Sequence, residues 1–256
     1  MRNAFHGLVL ALQFLTRVPV PIACPWHAGS CRWALRAFPL VGLLIGAGLA
    51  LLAALWQGLP TPLLALALLS LWVALSGGLH LDGVMDVADA LGSNAPLEKR
   101  WAIMKDAQVG SFAILTLVFL LAWKGVLLWA LLEAGASPGL LVLLPALARF
   151  GALALLRLAP LARREGLAWT WRQHLARRDL ALSLLPLAVV FGFLPVGVWL
   201  LAALLVFLLL LFLSLFGLAM VRVFTGINGD IVGAAIEGGE LWLLLCAWSW
   251  WWCVMA

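Results

Sequence analysis

Charged side chains are scarce in this sequence. Only 11% of its 256 residues are Asp, Glu, Lys or Arg, whereas 66% are hydrophobic and the mean hydropathy is +1.13. No soluble domain needs so much apolar surface, so the composition predicts an all-α, polytopic membrane protein. Lys and Arg in such a chain mainly fix its topology. The net charge of +5 therefore does not indicate nucleic-acid binding, and we expect no nucleic-acid partner.

Cysteine is also rare. The four cysteines form two pairs, Cys24 with Cys31 and Cys246 with Cys253, and each pair is seven positions apart. This spacing matches no zinc or redox motif, and disulfides are not expected on a cytosolic face. We interpret all four as small apolar residues.

The apolar blocks predict about six to seven transmembrane helices in one membrane domain covering residues 1–256. The blocks are 37–56, 63–78, 111–132, 140–156, 180–221 (two spans, broken near 192–195) and 241–256. Nearly all charges fall in the N-terminal segment or in the loops 80–110, 157–179 and 222–240. Paired spans put these segments on one side of the membrane, and the positive-inside rule makes that side cytoplasmic.

The N-terminal apolar run, residues 7–15, is too short to span a membrane, which takes roughly 20 residues. Arg17 and the prolines at 19 and 21 end the run, and no small-x-small cleavage site follows. We therefore expect an interfacial or re-entrant helix beside the functional site, not a signal peptide.

An acidic stretch, residues 77–89, ends a run of forty-five residues (37–81) that carry no formal charge. Its three aspartates, Asp82, Asp86 and Asp89, are spaced i, i+4, i+7, which places them on one face of a helix. Stacked like charges repel, and a hard divalent cation such as Mg²⁺ removes that repulsion. The stretch predicts a metal site at the membrane edge, and a solvated acidic face is the alternative.

Further polar groups surround this stretch in the sequence. The segment 98–106 resembles a short amphipathic helix that supplies cations. The glycine-rich turn 226–233 offers backbone N–H groups that could bind an anion, and its Asp230 could serve as a metal ligand. Lys124 and Arg149 lie within predicted spans, where they pair with a carboxylate, reach a phosphate or snorkel to an interface. Acids, cations and a glycine turn together favour Mg²⁺-dependent handling of a phosphate or pyrophosphate.

Several motifs resemble those of the cobalamin synthase family, the adenosylcobinamide-GDP ribazoletransferases. Residues 80–89 resemble the family's HLDGxxDxxD signature. Further resemblances, in the family's order, are 14–21 (FLTRxPxP), 38–42, 103–112 (IMKD to GSF) and 162–167 (AR-x-x-GL). One departure is Asn228, where the family usually has threonine before Gly-Asp.

The resemblance implies a phosphotransferase that joins adenosylcobinamide-GDP to α-ribazole, or to its 5′-phosphate, and releases GMP. It implies Mg²⁺ on Asp82, Asp86 and Asp89, with His80 orienting a carboxylate or acting as base. Candidate substrate contacts are Arg17, Lys105, Asp106, Lys124, Arg149, Arg163, Asn228 and Asp230. We expect a multi-pass protein of the bacterial inner membrane, surrounded by lipid, with its active site on the cytosolic face; a homo-oligomer is left open.

Two other functions stay open at this point. CDP-alcohol phosphotransferases also carry aspartates about one helical turn apart on a membrane helix. Their signature has Ala-Arg after the first Asp-Gly, where this chain has Val84 and Met85. A cation-coupled transporter would be expected to place its acids at the bilayer midplane, whereas here they cluster at the predicted edge.

Overall fold

The computed structural model describes residues 2–193 and 196–255, which are almost entirely helical. These residues form twelve α-helices and a π-helical turn, with no β-strand among them. The helices are α1 (Arg2–Leu15), α2 (Ala28–Leu55), α3 (Thr61–Ser76), α4 (Leu79–Gly92), α5 (Leu97–Ile103), α6 (Ser111–Glu133), α7 (Gly139–Leu158), α8 (Gly166–Arg172), α9 (Arg177–Leu182), α10 (Leu185–Phe193), α11 (Val196–Phe224) and α12 (Gly229–Trp250), and the π-helical turn is Trp251–Met255. The all-α, polytopic class predicted from composition is confirmed.

Within the described residues, five helices are long and apolar enough to cross a membrane: α2, α6, α7, α11 and α12. The α3–α4 pair makes a sixth if it is counted as one broken span. With that pair counted, the number is six, the lower end of the predicted six to seven. Residues 180–221 supply one long helix instead of the two that were predicted. The nine-residue α10 is about 14 Å long at 1.5 Å per residue, which is less than half of a bilayer core. The predicted break near 192–195 falls partly on residues 194–195, outside the described residues.

Glycines let α2 and α7 approach at backbone distance. A Cβ on Gly42 would lie 2.5 Å from the Cα of Ala146, and one on Gly46 would lie 2.6 Å from the Cα of Val142. Close approach through small residues is a usual way for membrane helices to associate. Gly42 and Gly46 thus give α2 a small face against α7.

The N-terminal helix α1 packs along α2 and ends next to the functional region. It begins at Arg2 and has 14 residues, so it is longer than the predicted run but still about 21 Å, too short to span. The Gln13 side chain donates to the carbonyl oxygens of Val20 (2.9 Å) and Ile22 (2.8 Å), which holds the proline-containing segment against the helix end.

A double-glycine turn redirects the chain between α3 and α4. Gly77 (φ +66°) and Gly78 (φ +72°) both adopt the left-handed conformation that glycine accepts without strain. The axes of α3 and α4 differ by 89°, so α4 runs across the direction of α3 and is not itself one of the five spanning helices. The Arg17 side chain covers Gly77, and the Arg17 N–H donates to the Leu75 carbonyl oxygen at 2.9 Å.

The last spanning helix begins at Gly229, twelve residues before the apolar run that starts at residue 241. Glu237 and Glu240 therefore lie inside the helix and not in a polar loop. Lys124 Nζ lies 2.5 Å from Glu237 Oε2 and 2.6 Å from Glu240 Oε2, and Arg149 Nη1 is paired with Glu240 Oε1. We call these four residues the buried ion network.

The buried ion network corrects the prediction that Lys124 and Arg149 contact the substrate. Their exposed fractions are 2% and 0%, and both already have carboxylate partners. Of the alternatives the sequence left open, pairing with a carboxylate is the one confirmed. Two cations and two carboxylates balance, which is how charges persist at membrane depth.

Candidate active site

The acidic face of α4 meets the beginning of α12. Gly83 makes this possible, because a Cβ there would lie 2.6 Å from the Asp230 carbonyl oxygen. The contact adds Asp230 to the carboxylates of Asp82 and Asp86. Burial, followed by the charges of Asp82, Asp230 and Asp89, raises the pKa of Asp86 to about 7. The α4–α12 junction is therefore a region of concentrated negative charge.

Asp89 has a different role from the one predicted for it. Its carboxylate accepts hydrogen bonds from the backbone N–H of Gly110 (2.6 Å) and of Ala113 (2.8 Å), where α6 begins. These N–H groups lack partners inside the helix, so Asp89 caps α6. Its negative charge also interacts favourably with the positive N-terminal end of the helix dipole. Its oxygens are thus engaged in positioning α6 against α4.

Residues 2–193 and 196–255 contain no group of three or more His, Cys, Asp or Glu side chains arranged to hold a metal ion by themselves. In this part of the chain the three aspartates do not form a metal site on their own, and Mg²⁺ binding at Asp82, Asp86 and Asp89 stays a prediction. The carboxylates that adjoin one another are Asp82 and Asp86 of α4 and Asp230 of α12. Such a set leaves room for ligands from a bound substrate.

Asn228 caps α12 and orients Asp230. Its Oδ1 accepts from the Ile231 N–H at 3.0 Å, and its Nδ2 donates to Asp230 Oδ2 at 2.7 Å. The glycine-rich turn therefore opens the final helix. The Asn228 amide thus makes both bonds from one side chain, as an acceptor through Oδ1 and as a donor through Nδ2.

The loop after α7 is fastened to this same turn. Leu161 and Ile227 form a parallel β-bridge; the Ala162 N–H donates to the Ile227 carbonyl oxygen at 3.0 Å, and the Ile227 N–H donates to the Pro160 carbonyl oxygen at 2.9 Å. Gly226 permits the approach, since a Cβ there would lie 2.7 Å from the Cα of Ala162. Two of the predicted charged loops are therefore on the same face of the protein.

An open cleft of about 340 Å³ lies between these elements, and Lys105, Arg163, Asn228 and Asp230 line it. Glu165 also lines the cleft, 3.6 Å from Lys105 Nζ and 3.3 Å from Arg163 Nη1. The hydrogen bond from Arg163, together with the positive charge of Lys105, lowers the pKa of Glu165. Sequence reasoning did not select Glu165, although it lies inside the AR-x-x-GL motif.

The sequence matches a family model described as Cobalamin-5-phosphate synthase over residues 7–248. The chain belongs to this family. Relatives named adenosylcobinamide-GDP ribazoletransferase include one from Geobacillus thermodenitrificans (strain NG80-2), 41% identical over 257 residues that cover 97% of each chain. Another, from Pseudomonas paraeruginosa (strain DSM 24068 / PA7), is 44% identical over 247 residues, covering 96% of this chain and 98% of the relative. No solved structure matches the chain.

Two of the cobalamin-5-phosphate synthase motifs line the cleft, the IMKD motif through Lys105 and the AR-x-x-GL motif through Arg163. The FLTR motif supplies Arg17, which covers the glycine turn that starts α4. The IMKD motif supplies Lys105 to the cleft, whereas its Asp106 accepts from the Gln108 N–H at 3.0 Å and shapes the turn before α6. Asp106 is not among the residues that line the cleft.

His80, the first residue of the family signature, is buried instead of open to the cleft. It is 4% exposed, and its Nδ1 has no hydrogen-bond partner among the described residues. Burial, followed by the charge of Arg149, lowers the pKa of His80 to about 3, so the imidazole is neutral at pH 7. A base this weak gives little driving force for proton abstraction, so the structure favours hydrogen bonding over the general-base role considered for His80.

Proposed function

We propose that this chain is an Mg²⁺-dependent adenosylcobinamide-GDP ribazoletransferase of the bacterial inner membrane. A hydroxyl oxygen of α-ribazole, or of its 5′-phosphate, attacks the cobinamide-side phosphorus of the pyrophosphate. The bond from that phosphorus to the bridging oxygen breaks, and GMP leaves with the bridging oxygen while the hydroxyl loses its proton. The observation that carries the proposal is the cleft itself, where Asp230 lies opposite Lys105 and Arg163 in a chain of this family.

The carboxylates fit Mg²⁺ as a shared ion and not as a closed site. Mg²⁺ is usually held by one or two carboxylates together with waters and substrate phosphates. Asp82 and Asp230 are close enough to Asp86 for their charges to raise its pKa. A bound cation would relieve this repulsion among the carboxylates. When bound, the ion neutralises charge on the pyrophosphate and on the transition state.

The basic side of the cleft is suited to the remaining phosphate charge. Lys105 and Glu165 have side-chain exposures of 65% and 62%, and Arg163 has 44%. Ion pairs this exposed are weak, typically about 0–1 kcal/mol, so a pyrophosphate readily replaces Glu165 as their partner. Arg163 also lies over the Trp101 ring, 5.4 Å from its centroid, which limits the directions of its guanidinium group.

The cytosolic orientation of this cleft is part of the proposal. The charged loops share the face that holds the cleft, and an excess of Lys and Arg favours the cytoplasmic side. The spanning helices α6 and α11 expose large apolar side chains such as Phe119, Phe207 and Leu215, which suits contact with lipid. Water-soluble nucleotide substrates then reach the cleft without crossing the bilayer.

The test is GMP release by the purified protein from adenosylcobinamide-GDP and α-ribazole across an Mg²⁺ titration. We expect Asp82→Asn to lower turnover by orders of magnitude and to reduce the thermal stabilisation that Mg²⁺ gives the wild type. Glu98→Gln, an exposed acid on α5, is the matched control and is expected to behave as wild type. Mg²⁺-independent release, or normal turnover by Asp82→Asn, would refute the proposal. Release of CMP from a CDP-alcohol instead would favour the lipid phosphotransferase.

A further inference from the structure

A second cavity adjoins the cleft on the inner side of Asp230. It has a volume of about 120 Å³ and is lined mainly by apolar side chains. Gly229, Asp230, Leu167 and Ala168 line both this cavity and the cleft, so the two spaces meet at Asp230. We call it the aromatic pocket because Phe14, Phe38 and Trp171 line it together.

The three aromatic rings come from three distant parts of the chain, α1, α2 and α8. The Trp171 ring centroid lies 5.2 Å from that of Phe14 and 5.7 Å from that of Phe38, at interplanar angles of 58° and 70°. Such ring pairs attract one another and present both faces and edges to a flat guest. The space is somewhat smaller than the apolar cavity of about 150 Å³ that takes up benzene, but it is continuous with the cleft, so it suits the inner part of one planar ring system.

Two residues that line the aromatic pocket each carry a buried polar atom without a partner. His80 Nδ1 and Trp171 Nε1 are both buried, and neither has a hydrogen-bond partner among the described residues. The residues themselves are 4% and 2% exposed. Buried polar groups without partners are costly and rare, which indicates that a ligand satisfies them. The indole N–H only donates, so that ligand must offer an acceptor.

We propose that the aromatic pocket binds the base of the acceptor nucleoside, a flat azole heterocycle whose free ring nitrogen accepts a hydrogen bond from Trp171 or His80. This assignment rests on the proposed function, in which the acceptor is a riboside. With its base in the pocket, the ribose extends past Asp230 into the cleft and brings a hydroxyl to the pyrophosphate. Trp171 and His80 are then specificity-determining residues, and they select the base by hydrogen bonding.

The test compares benzimidazole with indene, a bicyclic hydrocarbon of the same shape without nitrogen, on the purified full-length protein. Their dissociation constants follow from the concentration dependence of the melting temperature. Because detergent takes up both probes, the quantity compared is the ratio of the indene constant to the benzimidazole constant in each variant. Trp171→Phe keeps an aromatic ring and removes the N–H. Trp26→Phe is the matched control, since Trp26 packs against Trp171 (4.8 Å between centroids) but does not line the pocket.

We expect the ratio to fall about fivefold in Trp171→Phe, the factor typical of one lost neutral hydrogen bond, and to stay at the wild-type value in Trp26→Phe. Turnover assays should show a raised KM for α-ribazole in Trp171→Phe with little change in kcat. An unchanged ratio in Trp171→Phe, or an equal fall in Trp26→Phe, overturns the pocket assignment even if GMP is released normally. If the wild type releases no GMP although the ratio falls, the proposed function fails, and the assignment to an acceptor nucleoside is overturned with it.

Discussion

Replacing Glu240 should be far more damaging than replacing Glu237, although both glutamates are buried on α12 within the same ion network. Glu240 accepts from Lys124, Arg149 and the Trp72 indole N–H, whereas Glu237 has Lys124 as its partner. Glu240→Gln therefore leaves Arg149 without a carboxylate. Arg cannot lose its proton in a protein, so this charge stays buried and uncompensated. Glu237→Gln leaves both Lys124 and Arg149 paired with Glu240, so neither cation loses its last carboxylate.

The magnitudes follow from the two situations. Removing one partner of a buried ion pair typically costs about 3–5 kcal/mol, and we expect this for Glu240→Gln. For Glu237→Gln we expect about 1–2 kcal/mol, because the amide still accepts a hydrogen bond and Lys124 keeps a carboxylate. In a chain of this length 1 kcal/mol shifts the melting temperature by roughly 2–4 °C, so a difference of about 1–4 kcal/mol should separate the two variants by about 2 °C or more.

Thermal unfolding of the purified variants in one detergent is the assay, and a compensating double variant is the control. Glu240→Gln combined with Arg149→Met removes one charge of each sign and leaves Lys124 paired with Glu237. Because a buried pair can often be replaced by uncharged groups at little cost, the double variant should be more stable than Glu240→Gln alone. Equal melting temperatures for the two single variants, or a double variant less stable than Glu240→Gln, would refute the reasoning.

Three further predictions concern the site and the topology. Asp89→Ala should lower the unfolding free energy by about 1–2 kcal/mol through loss of the α6 cap but keep the Mg²⁺ dependence of GMP release, which a parallel melting and Mg²⁺ titration would check. Gly83→Ala should sharply reduce turnover, because its methyl group would collide with the Asp230 backbone and push α4 away from α12; wild-type kinetics would contradict this. In a variant lacking the native cysteines, a cysteine at Gln57 should be labelled from outside intact spheroplasts and one at Asn94 should not; labelling at Asn94 would reverse the orientation.

Local features of the sequence were sufficient for the class of protein and for the centre of the site. Hydropathy alone indicates membrane helices, because a bilayer core excludes charge whatever the neighbouring helices are. Helical periodicity alone places Asp82 and Asp86 on one face of α4, and the chain order of the motifs points to the family. The glycine-rich turn is recognisable as a helix start from its own residues, and Asn228 confirms it as the cap.

Other features depend on which helices come together, and no local pattern contains that information. The spacing of Asp89 places it on the same helix face as Asp86. Its carboxylate nevertheless accepts a hydrogen bond from the start of α6, 21 residues further along the chain. By sequence alone, Glu237 and Glu240 resemble loop residues. In the fold they are buried, because Lys124 of α6 and Arg149 of α7 neutralise them. The aromatic pocket likewise exists only because α1, α2 and α8 meet. Whether a buried charge or polar atom has a partner depends on groups that are far away in sequence, since only tertiary packing brings those groups next to it.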